Sequence, residues 1–404
     1  MPNVNDMTVF QAGTILQSLV KQATGQAVIA ASTPGEFISV AQTALKTGYD
    51  PILNAMSQMW GRTIFSIRPY SRKFSGLEMS MERWGNAVRK LSIADKPIED
   101  DARFTWPVGY DSTKASNALG EGESVDMYAL NKPDILQVNF YGQSVYENSY
   151  TIFKDNMDVA FTSAEEFMRF NSLVTGNRSD KLEQYRENIA RGILANYIGS
   201  LLAENQTARV VHLLTEYNAE TGLTLTAQNI YQPENFSSFM QWAYARIATI
   251  SRMMTERSEM YQTVINGKHV MRHTPANKQK VYLYAKAMDQ FDAMVKANTF
   301  HDNYLKFTDY EGVNFWQSIK NPDSISVTPV YTSTTGVATT GEAVEQAGIF
   351  GVIFDEEALG YAQVNNWTAV TPFNAKGGYW NTYDHVNFRA IMDMSEKGVL
   401  LLLD

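Results

Sequence analysis

The sequence contains no cysteine and only five histidines among 404 residues. The first absence removes disulfides, thiolate metal sites and cysteine nucleophiles together, so stapling must come from packing or assembly. It predicts a protein made in a reducing cytoplasm. Long hydrophobic runs are missing too: the longest, Val-Leu-Leu-Leu-Leu at 399–403, is strand-sized, and nothing approaches the length a membrane span needs. Residues 1–8 lack a basic or apolar leader pattern, so no signal peptide is expected. Positive charge is also in deficit, and a net charge of −9 argues against nucleic-acid adhesion over the whole surface.

What is present is core material. With 44% hydrophobic and 19% charged residues the chain is not a disordered polypeptide. Thr33-Pro34-Gly35-Glu36 reads as a capping box that opens a helix running to about Leu45, where Gly48 stops it. A helix is expected before it, since Ile15, Leu16, Leu19 and Val20 share a face. Ser163 with Glu166 opens another helix, expected to close at Gly176. A long amphipathic helix over 180–203, capped by Ser179 or Asp180, carries Leu182, Tyr185, Ile189, Ile193, Leu194, Tyr197, Ile198, Leu201 and Leu202 on its stripe, with Glu183, Arg186, Glu187 and Arg191 off it. An aromatic and methionine-rich helix spans 236–256, Asn266-Gly267 signals a hairpin, Val281–Tyr284 reads as a strand leading into a helix over 287–297, and the Thr/Ser/Gly run at 332–341 reads as a flexible loop. Strands at 348–354 and 397–403 close the chain.

Residues 62–132 differ in character. Short β-like runs alternate with Arg62, Arg68, Arg72, Lys73, Arg83, Arg89 and Lys90, and a Ser/Gly/Glu-rich passage follows at 116–124. A ribbon with so little periodic apolar signal is marginal alone and lies on something else. Glu78, Glu82, Asp95, Glu99 and Asp100 interleave with the cations, which fits ion pairing to a neighbouring subunit better than phosphate binding.

The chemical motifs are weak. Lys376-Gly377-Gly378 has its lysine ahead of the glycines and aromatics after them, the reverse of a phosphate loop, so a turn is the reading. Gly120-Glu121-Gly122 lacks a third glycine and its glutamates would repel a pyrophosphate. His269 and His273 stand four apart but on an arm of the expected hairpin, without a further ligand nearby in sequence. Asp384-His385 has no activated serine motif to serve, and His385 is expected to hydrogen-bond within a sheet. Asp355-Glu356-Glu357 reads as a solvated turn or a helix cap.

The order of these features, and above all the ending Ile-Phe-Gly-Val-Ile-Phe-Asp-Glu-Glu-Ala-Leu-Gly (349–360) followed by Tyr-Trp-Asn-Thr-Tyr-Asp-His-Val-Asn-Phe-Arg-Ala-Ile-Met-Asp-Met-Ser-Glu-Lys-Gly-Val-Leu (379–400), resembles the major capsid proteins of tailed bacteriophages with the Hong Kong 97-type shell fold, in particular those of small podophages. The resemblance implies an α+β fold with an N-terminal helical arm (1–61), an extended E-loop and flanking ribbon (62–132), a P-domain (133–235) whose spine helix is 180–203, an A-domain (236–345) and closing strands (346–404). It implies a non-enzymatic virion protein, without cofactor or metal, that assembles with itself into pentamers and hexamers of an icosahedral or prolate head. Scaffolding and portal proteins and non-specifically contacted double-stranded DNA are its implied partners, with no membrane, and its site is the phage head after assembly in the host cytoplasm. Arg62, Arg68, Arg72, Arg83, Trp84, Arg89 and Trp106 are the expected inter-subunit contacts. No lysine–asparagine crosslink is predicted. A non-viral, encapsulin-like compartment protein and a soluble hydrolase using Asp384 and His385 are the alternatives.

Overall fold

The computed structural model describes residues 9–24, 33–46, 50–53, 73–79, 87–94, 134–141, 144–298 and 310–404, with a few single positions between them. In chain order the described elements begin with α1 (Val9–Thr24), α2 (Pro34–Lys46), β1 (Ala87–Ala94), β2 (Asp134–Tyr141), β3 (Ser144–Phe153), α3 (Lys154–Ala160), α4 (Ala164–Glu204), β4 (Val210–His212), α5 (Leu213–Thr221), α6 (Pro233–Thr255), β5 (Gln279–Tyr284) and α7 (Ala285–Asn298). They end with β6 (Glu311–Val313), β7 (Ile325–Val327), β8 (Val330–Thr332), β9 (Ala338–Thr340), β10 (Val344–Gln346), β11 (Ile349–Asp355), β12 (Leu359–Val370), β13 (Tyr379–Met392) and β14 (Gly398–Leu402). Two compact units form, one from Met1–Asn86, Tyr141–Leu194 and Gly360–Ile391, the other from Ala87–Phe140, Ala195–Leu359 and Met392–Asp404.

The first unit is a three-stranded sheet in the order β12-β13-β3 with helices on it. β13 pairs antiparallel with β3 from Tyr379↔Phe153 to Phe388↔Ser144. Leu16, Leu19 and Val20 of α1, Phe37 and Ala41 of α2, and Met157, Phe161 and Phe167 meet Trp380 in its core. Both capping boxes are present: the Thr33 amide donates to Glu36 Oε2 and the Glu36 amide to Thr33 Oγ1, each at 3.3 Å, and the Glu166 amide donates to Ser163 Oγ at 3.2 Å. Each satisfies amides that a helix start would otherwise leave unpaired.

The second unit is built on a five-stranded sheet in the order β4-β14-β11-β5-β6. β11 runs antiparallel to both β14 and β5, while β14–β4 and β5–β6 are parallel. All residues of β11 and β14 are buried, as their continuous apolar runs require of central strands. Phe236, Phe239, Met240, Ala243, Ile247, Ile250 and Met254 of α6 pack on that sheet with Leu213, Leu214 and Tyr217 of α5.

Several expectations are corrected. Gly176 does not close a helix and neither Ser179 nor Asp180 caps one: α4 is a single helix of 41 residues, about 60 Å long. A lone glycine costs a helix interior only about 1 kcal/mol, which tertiary packing overrides. Glu187 and Arg191, off the apolar stripe, are nevertheless buried. Arg191 Nη2 lies 2.5 Å from Glu187 Oε1 one turn away, and its guanidinium covers the Phe74 ring at 4.8 Å, so each charge brings its own compensation inside. Residues 332–341 are not a loose loop but the turn and second strand of the β8–β9 hairpin. Asn266-Gly267 does form a tight turn, both residues at positive φ, closed by one bridge between Ile265 and Lys268. The 62–132 passage is described only around 73–79 and at β1, apart from single positions; Gly120-Glu121-Gly122 lies outside the described residues.

Candidate assembly interface

β1 and β2 make a two-stranded ribbon within the second unit. Alternation along each strand divides its side chains between two faces. Ala94, Leu136 and Val138 turn inward and pack with Ile265 and Val270 beside the Asn266-Gly267 turn, with Phe140 half-buried against them. Arg89, Leu91, Ile93 and Ile135 turn outward; Leu91 is 54%, Ile93 68% and Ile135 55% exposed. One ribbon face thus carries three large, exposed aliphatic side chains beside an arginine.

The inner face also carries charge. Lys90 Nζ lies 3.1 Å from Asp393 Oδ2 and 3.2 Å from Glu357 Oε2, and it donates to Glu396 Oε1. Arg272 Nη1 stands 3.0 Å from Glu396 Oε1, and its Nη2 donates to Ser92 Oγ on β1 at 2.9 Å and to Ser395 Oγ at 3.3 Å. Burial pulls the Lys90 pKa down, but the Asp393 and Glu396 carboxylates outweigh it and hold the ammonium above its ordinary value. Burial is the largest influence on Glu396 and holds its carboxyl above the usual range, against the pull of Lys90 and Arg272. At the start of β2, Asp134 pairs with Lys268 at 2.6 Å.

The chemical candidates come apart. Asp384 and His385 are neighbours on β13, so they point to opposite faces of the sheet. Asp384 is buried, 2.7 Å from Arg178 Nε, and accepts from Thr368 Oγ1 at 2.6 Å. His385 stacks on the Trp367 ring with centroids 4.0 Å apart instead of hydrogen-bonding in the sheet. No acid–base dyad results. His269 pairs with Glu259 at 2.7 Å, His273 is exposed, and among the described residues no group of three or more His, Asp or Glu is arranged to hold a metal. Asp355 is not solvated: it accepts from Thr274 Oγ1 at 2.6 Å and turns the chain by accepting the Glu357 amide at 2.9 Å.

Lys376-Gly377-Gly378 is the turn that joins β12 to β13. Asn374 Oδ1 accepts the amides of Lys376 and Gly377, at 3.2 and 3.0 Å, and Gly378 closes the turn at φ 65°. A Cβ on Gly377 would lie 2.2 Å from the Tyr379 ring, which is the reason for glycine there. The turn folds Phe373 onto Trp380, centroids 4.6 Å apart, and Trp380 Nε1 donates to Asp50 at 2.6 Å. The stretch binds strands together.

Comparison with known proteins decides what such a molecule is. The model of the Phi29-like phage major capsid protein family matches residues 16–398. The chain belongs to that family. It is a phage capsid protein, a structural component of the virion head. A chain in the capsid structure of Staphylococcus phage Andhra superposes with TM-score 0.50 at 13% identity, covering 83% of this chain and 85% of that one. A chain in the structure of the head fiber and inner core protein gp22 of native bacteriophage P68 gives TM-score 0.50 at 13% identity, covering 85% and 87%. At such identity the likeness speaks for the fold, and the fold is the mixed helix and sheet architecture of the Hong Kong 97 type. No curated protein matches the chain.

Of the expected contact residues in this capsid protein, Arg89 is described and stands on the outward ribbon face; Arg62, Arg68, Arg72, Arg83, Trp84 and Trp106 lie outside the described residues. Leu91, Ile93 and Ile135, which share that face, are not among the expected residues. In Ala-Val-Arg-Lys-Leu-Ser-Ile-Ala both alternate sets contain apolar and charged members, so the sequence pattern does not say which set faces out.

Proposed function

We propose that the chain builds its shell by self-assembly into pentamers and hexamers, and that the outward ribbon face is one of its grips on a neighbouring copy. The exposed Leu91, Ile93 and Ile135 beside Arg89 carry this reading. Apolar anchors flanked by a cation are what a protein–protein contact buries, and closed symmetry multiplies a modest contact around every ring. The unit holding the three-stranded sheet then corresponds to the P-domain, the unit holding the five-stranded sheet to the A-domain, and the ribbon to the E-loop. Arg62, Arg68, Arg72, Arg83, Trp84 and Trp106 belong to the same contact. The role is structural rather than enzymatic, and the separation of Asp384 from His385 supports it. Scaffolding and portal proteins are partners during assembly, and the inner wall faces double-stranded DNA without reading its sequence.

Leu91→Asp combined with Ile93→Asp tests the grip. Both side chains point away from the unit that carries them, so the variant subunit should stay soluble with an unchanged circular dichroism spectrum, while negative-stain images should show no shells where the parent forms them. Normal shells from the double variant would overturn the assignment.

A further inference from the structure

A two-stranded ribbon is barely stable by itself in water, so its direction depends on what ties it down. The apolar tie is small: Ala94, Leu136 and Val138 against Ile265 and Val270, with Phe140 at the margin. The polar tie is larger and unevenly built. Its acidic side is a rigid turn between β13 and β14. The Asp393 amide donates to the Ala358 carbonyl at 2.8 Å. Ser395 donates to Asp393 Oδ1 from its amide at 2.9 Å and from its hydroxyl at 2.6 Å. The buried Arg209 donates to the Met394 and Glu396 carbonyls from beneath, at 3.2 and 3.5 Å. Among the described residues, the ribbon's contribution to this socket is the charge of Lys90 and the hydroxyl of Ser92, the latter reached through Arg272.

We propose that Lys90, seated between Asp393, Glu396 and Glu357, is a charge latch that sets the stance of the β1–β2 ribbon on its own subunit and can be released without unfolding it. The physical case is the balance of terms. Closed, the latch gains three short-range ion pairs, to Asp393, Glu396 and Glu357, but keeps Asp393 and Glu396 out of water; open, it loses the pairs while the carboxylates and the ammonium regain hydration. Opposing terms of similar size leave the two positions close in free energy, unlike a contact made by apolar burial alone. The charges facing Lys90 are those of Glu357, Asp393 and Glu396 and the like charge of Arg272, so the socket holds three acids against two bases and remains anionic when Lys90 leaves. The ribbon would therefore be drawn back, which makes the device reversible. The inference rests on the ribbon being an assembly element only for its biological use; the latch itself is a property of the free subunit.

Hydrogen exchange on the soluble, unassembled subunit tests it. In Lys90→Met, which keeps the apolar stem and removes the charge, amides of 88–94 and 135–140 should exchange about tenfold faster or more while those of β11 and β14 keep their protection. Lys90→Arg should restore the protection. Salt raised from about 0.1 M to about 1 M should speed ribbon exchange in the parent more than in Lys90→Met, because screening acts on the ion pairs. Unchanged ribbon protection in Lys90→Met would overturn the proposal, and so would an equal loss of protection through the five-stranded sheet, which would make Lys90 part of the core. Electron microscopy of the same variants reads assembly separately: the latch stands or falls on the exchange data whether or not shells form.

Discussion

Arg209 offers the sharpest test of how the second unit is held together. Its side chain is fully buried. Nε donates to the Gly398 carbonyl at 3.1 Å; Nη1 donates to Thr263 Oγ1 at 2.6 Å and the Met394 carbonyl at 3.2 Å and lies 3.1 Å from Glu204 Oε2; Nη2 reaches Tyr197 Oη at 3.4 Å. Thr263 passes the chain of bonds on by donating to Glu204 Oε1 at 2.5 Å. Arg209→Met keeps most of the volume and removes every donor. Glu204 is then left as a nearly buried carboxylate with Thr263 as its remaining hydroxyl donor, and backbone carbonyls at the start of β14 and in the turn before it lose a partner. Breaking a buried pair from one side costs about 3–5 kcal/mol, a large part of the 5–15 kcal/mol typical of a folded domain. Arg209→Met should therefore lower the urea midpoint of the soluble subunit by an amount worth about 3–5 kcal/mol, and adding Glu204→Gln should return part of it, because the stranded charge is gone. A loss below about 1 kcal/mol, or a double variant no more stable than Arg209→Met, would show that the guanidinium fills space and does not organise the site.

Two further outcomes are expected. Gly176 sits inside α4 with nothing within 4 Å of where a Cβ would lie, so Gly176→Ala should raise stability by about 0.5–1 kcal/mol, and a destabilised variant would mean that the helix needs a weak point there. Burial pushes the Tyr197 phenol up to about 12 from its ordinary 10.0, with Arg209 pulling it back; the neutral phenol thus contributes stability that is complete below pH 10 and disappears as pH rises to about 12. That window is worth about 2–3 kcal/mol, so the stability difference between the parent and Tyr197→Phe should shift by this amount across it, and parallel curves would refute the assignment.

Much of this protein was readable in the residues because local physics settled it. Thr33 with Glu36, and Ser163 with Glu166, mark helix starts that need no distant partner. The short apolar runs of β11 and β14 mark them as strands, and both are buried along their length. Asn266-Gly267 requires a left-handed turn wherever it falls. The weakness of every catalytic pattern, together with the form of the C-terminal segment, points to a shell protein. What local physics cannot settle is the identity of a partner far away in sequence. Gly176 and Asp180 look like a helix boundary until packing carries α4 through them. Glu187 and Arg191 stand off the apolar stripe, yet they are buried as a pair, with Arg191 over the Phe74 ring. His385 has no predictable partner because Trp367 comes from another strand. Ribbon strand β1 is the clearest case: its alternation is fixed by the backbone, but which face turns outward depends on Asp393 and Glu396, some three hundred residues away. Patterns of burial and capping are short-range and belong to the sequence; the sign of a face and the pairing of buried charges are long-range, and only the tertiary structure decides them.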